Sequence, residues 1–147
     1  MAVTSTASSV WRGNLADGSG TVSSNSSDNL RELPTSWNAR TVAHEGKTSP
    51  EELLAAAHAS CFSMALSANL ARAGFTADEL SVTAEVNADR VDEKWTVISS
   101  HLTVNGRVPG ASESDFQSAA AAAKDGCPIS RALAGNVELS VSATLES

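Results

Sequence analysis

Two cysteines, one arginine, one glutamate and one histidine are the residues whose types and spacing could do chemistry in this 147-residue chain. Cys61 lies inside the apolar stretch SPEELLAAAHASCFSMAL, and Cys127 lies in the segment DGCPIS. They stand 66 positions apart, so no C-x-x-C redox or zinc pattern exists, and the three scattered histidines do not suggest a metal site. Cys61 can be read as a small core residue between alanine and phenylalanine, or as a thiol kept dry until a substrate arrives. Cys127 precedes Pro128 at the start of a short predicted helix. There unpaired N–H groups stabilise an anion and lower a thiol pKa, although a cysteine can also merely occupy a cap.

The other three residues divide in the same way. Arg40, in SWNARTV, falls at the end of an expected strand, where an arginine is ordinarily a solvated charge. Beside a dry thiol it would instead stabilise a thiolate and bind a polar oxygen of a substrate. Glu51 is a first-turn carboxylate that suits the helix dipole. It precedes Cys61 by 10 residues, which is ~15 Å of rise on a straight helix. The two cannot meet within one helix, so a shared site needs a second copy of the helix or a sharp bend. His58 stands three residues before Cys61 on the same helix face, where it could form a Cys–His nucleophile pair for acyl hydrolysis or serve as a core histidine.

The elements that must position these groups can be read from pattern. Weak strand signals at Thr6–Arg12, Gly20–Ser26 and Trp37–Ala43, separated by turn residues, suggest an antiparallel meander. Ser49, Pro50 and Glu52 form a capping-box start for a helix running to about Arg72 and stopped by Gly74. Apolar nearly all round, that helix needs cover on most faces. Leu80, Val82, Ala84 and Val86 alternate as a strand with one buried face. After a turn at Asp92–Lys94 the alternation changes parity between Val97 and Leu102, which predicts a bulge near Ser99–Ser100. A helix from Ser114 to Asp125, capped by Ser114 and Gln117, a short helix Pro128–Ala134 and a final strand from Val137 to Leu145 complete one expected domain, 1–147. Segregated strands and helices make the class α+β.

Composition narrows the functions. A net charge of −7 without a basic cluster argues against nucleic acid and a polybasic membrane anchor. The start MAVTSTASSVWRGN has neither the charged nor the apolar region of a signal peptide, and the longest uninterrupted apolar runs are five residues. These features predict a cytoplasmic protein that is not membrane-bound, in a compartment where a transient catalytic disulfide is more plausible than a structural one.

The segments WNARTV, TSPEELLAAAHASCFSMALS, LTVNGRVPG and AKDGCPISRAL, in that order, resemble the osmotically inducible protein C (OsmC) family, sister of the organic hydroperoxide resistance proteins. The resemblance runs from about Ser9 to Leu145 and is closest to the OsmC branch. It implies an OsmC-like fold, antiparallel sheets around a long central helix in an intertwined homodimer. It also implies a thiol peroxidase that reduces organic hydroperoxides in stress defence. By the same resemblance Cys61 matches the peroxidatic cysteine, Cys127 the resolving cysteine with which it forms a disulfide, Arg40 the catalytic arginine, and Glu51 the carboxylate holding it, expected as a bidentate pair. No bound cofactor or metal is implied; an external dithiol of the dihydrolipoamide type would be the reductant. Leu54, Phe62 and Met64 are candidates for an apolar pocket wall. Thr41 stands where the family often has an aromatic residue, and the chain has no tyrosine, which bears on pocket shape. A non-catalytic dimer binding a small ligand is the alternative from another class.

Overall fold

The computed structural model describes residues 1–146. It divides into two compact units, Met1–Leu53 and Leu54–Ser147.

In the first unit, strands β1 (Ala7–Arg12), β2 (Ser19–Ser24) and β3 (Leu33–Thr35) form an antiparallel meander in that order. Gly20 lets the strands close up: a Cβ there would lie 2.7 Å from both Thr35 Oγ1 and Trp11 Cε3. The expected third strand over Trp37–Ala43 is instead a short helix, α1 (Trp37–Thr41). Trp37 and Ala39, two residues apart, match the period of a strand, and five residues are too few to show a helical repeat, so the cap decides. The Ser36 hydroxyl accepts from the Ala39 N–H at 3.0 Å, satisfying a donor that a strand would pair differently. Arg40 therefore sits in the last turn of a helix and not at a strand end.

Helix α2 (Pro50–Arg72) begins in the first unit and continues through the second. Ser49 Oγ accepts from the Glu52 N–H at 3.1 Å, as the capping pattern requires, while the Glu52 carboxylate accepts from the Thr48 hydroxyl at 2.7 Å. Counting uninterrupted apolar residues understates this helix, which is long and apolar enough to cross a membrane by length and composition. One stripe of it packs as the core of a folded unit, because His58, Phe62, Leu66 and Leu70 are fully buried at a spacing of four. Ala56, Ala57, Met64 and Ala68 on other faces are exposed.

The second unit packs that stripe against a three-stranded sheet of β4 (Glu79–Val91), β5 (Lys94–Arg107) and β6 (Glu138–Leu145). β4 and β5 are antiparallel, but β5 and β6 run parallel, so the sheet is mixed and not antiparallel throughout. A parallel neighbour needs a crossover, which α3 (Glu113–Gly126) and α4 (Pro128–Leu133) supply. The bulge falls at Ile98, since Asn87 pairs with Ser99 and Ala88 with Val97. That extra residue turns Ser100, Leu102 and Val104 to the buried face. The α3 cap lies two residues before the expected one: Ser112 accepts from the Asp115 N–H at 3.1 Å, and Asp115 accepts from the Ser112 N–H at 2.9 Å. Asp115 is the nearer acid able to reach back, so Ser114 falls inside the first turn. Phe116, Ala119, Ala120 and Ala123 then face Phe62, Leu66, Leu70, Leu102 and Val104 in one core.

Candidate active site

The two cysteines, remote in sequence, are brought together. Cys61 comes from the middle of α2 and Cys127 from the junction of α3 and α4, and their thiols are close enough for each to shift the other's acidity. Both are free. Cys127 ends one helix and begins the next: its N–H donates to Ala123 O at 2.9 Å, and its Sγ accepts from the Ser130 N–H at 3.4 Å. The thiol thus performs the capping that serine usually performs. Cys61 is the more accessible of the two, half-buried where Cys127 is fully buried, so the dry thiol is the second one.

Their acidities diverge. Burial pushes the Cys61 thiol up, the Ile129 N–H partly offsets this, and the neighbouring Cys127 raises it further. Burial also opposes ionisation of Cys127, but hydrogen bonds from the Ser130 side chain and main chain, from Cys61 and from the Ile129 N–H outweigh it. The Cys127 thiol therefore lies below its ordinary value. Within one chain the favoured thiolate is Cys127.

His58 does not face either thiol as a base. Its Nδ1 lies 2.7 Å from Ser100 Oγ and its Nε2 lies 2.8 Å from Ser130 Oγ, so both ring nitrogens are engaged. All three side chains are buried, and burial lowers the imidazole pKa. Sequence reasoning found His58 but missed the two serines. The parity change that predicted the bulge was the available signal for Ser100, and the S of the GCPIS segment was the one for Ser130.

Arg40 and Glu51 meet in the first unit. Arg40 Nε donates to Glu51 Oε1 at 2.8 Å, and the guanidinium carbon sits 5.8 Å from the Trp37 ring centroid. The pair is joined through the single contact from Nε to Oε1 and not through the expected bidentate fork, since no Nη bond to Oε2 accompanies it among the described residues. Glu51 Oε2 is buried with no hydrogen-bond partner among the described residues. Among the described residues the two Nη groups make no hydrogen bond or ion pair, which leaves them for another anion or polar oxygen. An open apolar cleft of about 480 Å³ adjoins Arg40, walled by Trp11, Leu15, Val22, Trp37 and Leu53. The wall expected from Phe62 and Met64 is elsewhere: Phe62 is fully buried in the core and Met64 is 70% exposed. Leu54 is half-buried beside Leu53 on α2. Among the described residues, no group of three or more His, Cys, Asp or Glu side chains is placed to hold a metal.

Comparison with known proteins supplies the lineage. The family model described as OsmC-like protein matches residues 43–142. The chain is 42% identical over 129 residues to Peroxiredoxin OsmC of Escherichia coli (strain K12), covering 88% of this chain and 89% of that protein. It is 32% identical over 120 residues to Organic hydroperoxide resistance protein OhrA of Bacillus subtilis (strain 168), covering 79% and 82%. Among solved structures, an organic hydroperoxide resistance protein from Elizabethkingia anophelis superposes with a TM-score of 0.77 at 25% identity, covering 99% of this chain and 100% of that one. Matched across most of its length in sequence and in backbone, the chain belongs to the OsmC-like protein family.

Proposed function

We propose that this protein is a cysteine-based peroxidase that reduces organic hydroperoxides to alcohols in stress defence. The observation that carries the reading is the meeting of Cys61 and Cys127 as free thiols close enough to shift each other's acidity. Relatives named as a peroxiredoxin and as an organic hydroperoxide resistance protein support the same chemistry.

In this reading Cys61 attacks as the thiolate. Its sulfur takes the terminal peroxide oxygen, the O–O bond breaks, and the alkoxide leaves and is protonated to the alcohol. Cys61 is then a sulfenic acid. Cys127 sulfur attacks Cys61 sulfur, an S–S bond forms and the S–O bond breaks. The departing hydroxide takes the Cys127 proton and leaves as water. An external dithiol, such as dihydrolipoamide, reduces the disulfide and is itself oxidised. Two free thiols that must be regenerated suit a reducing compartment, the cytoplasm.

Cys61 needs a cation, because its own chain pushes its pKa up. Arg40, held by Glu51 with its Nη groups unbonded among the described residues, has the right chemistry. We assign the two halves to different chains of a homodimer, so that one chain's Arg40–Glu51 pair completes the thiol site of its partner. The apolar faces of α2 left uncovered in one chain, and Trp11 and Val10 exposed on β1, support a second copy as cover.

The test is mass spectrometry after one equivalent of cumene hydroperoxide. The wild type gains a disulfide, and Cys127→Ser gains a dimedone adduct on Cys61. An unmodified Cys61 in Cys127→Ser, with oxidation of Cys127 in Cys61→Ser, sinks the assignment.

A further inference from the structure

The mechanism above leaves one buried group unused. His58 is fully buried in α2, pinned at 2.7 and 2.8 Å between the hydroxyls of Ser100 on β5 and Ser130 on α4. A neutral imidazole offers one N–H donor and one bare nitrogen, and a hydroxyl both donates and accepts. Both contacts are therefore satisfied with no charge in the interior. The ring joins three elements of the second unit, and Cys61 and Cys127 belong to two of them.

The spacing of these residues is informative. His58 precedes Cys61 by three residues on α2, which puts the two on one face of that helix. Ser130 follows Cys127 by three residues and closes the first turn of α4 on it, its main-chain N–H donating to Cys127 Sγ at 3.4 Å. The 2.8 Å contact between His58 Nε2 and Ser130 Oγ thus ties the two helices together about one turn away from each cysteine.

Helix α4 has little else to hold it. Its six residues are too few for a helix to persist alone. Ser130 is its one fully buried side chain; Ile129 and Leu133 are half-buried, and Pro128, Arg131 and Ala132 are exposed. Helix α3, by contrast, is seated in the core through Phe116, Ala119, Ala120 and Ala123. Cys127 lies at the joint between them. Its main-chain N–H is fixed on α3 through Ala123 O at 2.9 Å, while its sulfur takes its hydrogen bond from α4. Where α4 rests therefore decides where that sulfur is held.

We propose that His58 is a positioning residue for disulfide formation: its bond to Ser130 docks α4 on α2 and so sets the approach of Cys127 to Cys61. This rests on the two cysteines being the redox pair proposed above. An S–S bond requires a defined separation and dihedral angle, and condensation competes with further oxidation of the Cys61 sulfenic acid by peroxide. The imidazole takes no proton in the step; the one that Cys127 gives up leaves with the hydroxide from Cys61. Ser100 anchors the other ring nitrogen to β5.

The experiment is the anaerobic equilibrium of the Cys61–Cys127 pair with oxidised and reduced dithiothreitol, which gives the effective concentration of one thiol toward the other without peroxide. In Ser130→Ala that concentration should fall about fivefold, the worth of one hydrogen bond, while Ser130→Thr, which keeps the hydroxyl, should hold it to within about twofold of wild type. Ser100→Ala loses a bond to the same ring and should lower the urea midpoint as Ser130→Ala does, yet change the effective concentration by less than about twofold. A wild-type value in folded Ser130→Ala, or an equal fall in Ser100→Ala, overturns the proposal. So does a wild type that forms no disulfide. His58→Gln, whose amide both donates and accepts, carries the same test against His58→Leu should Ser130→Ala not fold: equal values in the two overturn it. Peroxide turnover of the wild type is measured alongside. Its absence sinks the peroxidase reading alone, because the equilibrium with dithiothreitol needs no peroxide.

Discussion

Arg40 Nε donates to Glu51 Oε1 at 2.8 Å, and the other oxygen of that buried carboxylate has no hydrogen-bond partner among the described residues. The carboxylate therefore orients the guanidinium through Nε and, among the described residues, leaves both Nη groups available. Glu51→Gln keeps the shape but removes the charge assistance, worth about 1.5–3 kcal/mol for a bond to a charged group. Peroxidase kcat/KM should fall by roughly 10- to 100-fold. Arg40→Lys should cost at least as much, because an ammonium cannot serve Glu51 with one nitrogen and substrate with others. Stopped-flow consumption of cumene hydroperoxide measures both; wild-type rates in either variant would remove the pair from the mechanism.

His58 gives the protein a pH dependence of known sign. Burial holds the folded imidazole below its ordinary value of 6.5, so the folded state keeps it neutral while the unfolded chain binds a proton. The associated stability is present above 6.5 and is lost as pH falls from 6.5 toward the depressed folded value. Urea midpoints should therefore drop between pH 7 and 5.5, before carboxylates titrate. In His58→Gln the drop over the same interval should shrink, whatever its absolute stability. Equal drops in the two proteins would place the titrating group elsewhere.

Gly106 tests how tightly α3 seats on the sheet. A Cβ at this position would lie 2.5 Å from Phe116 Cζ and 2.7 Å from its Cε2, and that ring is fully buried. Gly106→Ala should destabilise the fold by about 1–3 kcal/mol through overpacking. Combining it with Phe116→Leu should recover part of the loss, since the smaller side chain vacates the clash. Additive losses in chemical denaturation would show that the two positions do not share the strain.

Most of this architecture was legible where the pattern ran long. The capped helix from Pro50, the alternation of β4 and the Cys127–Pro128 helix start each repeat a signal over several residues or fix it by chemistry. Short elements were not legible: over Trp37–Thr41 the two-residue spacing of Trp37 and Ala39 imitates a strand, five residues leave no room for a helical repeat, and Ser36 settles the matter through one hydrogen bond. Direction was hidden as well, because a period-two strand reads the same whether β6 runs parallel or antiparallel to β5. At the candidate site, type and placement made Cys61 and Cys127 candidates beside a core or cap reading, and the resemblance of the surrounding segments supplied their expected roles. Ser100 and Ser130 were not candidates, since a serine becomes informative only when the fold shows what it touches.

The assignment of Arg40 and Cys61 to different chains makes a prediction that separates it from any single-chain site. Along the continuous α2, Glu51 precedes Cys61 by 10 residues, ~15 Å of rise. Cys61→Ser and Arg40→Ala homodimers should each be inactive, for loss of the nucleophile and of the cation. In a heterodimer of the two, one site receives both lesions, Cys61→Ser from one chain and Arg40→Ala from the other, and is dead. The other joins the intact Cys61 of one chain to the intact Arg40 of its partner and should turn over. Co-expressed, differently tagged and purified through both tags, the heterodimer should recover about half the wild-type rate per dimer, one competent site of two. If both residues of a site came from one chain, every site in the heterodimer would carry a lesion and no activity would return. A protein that sediments as a monomer at working concentration would end the shared-site assignment before any kinetics were run.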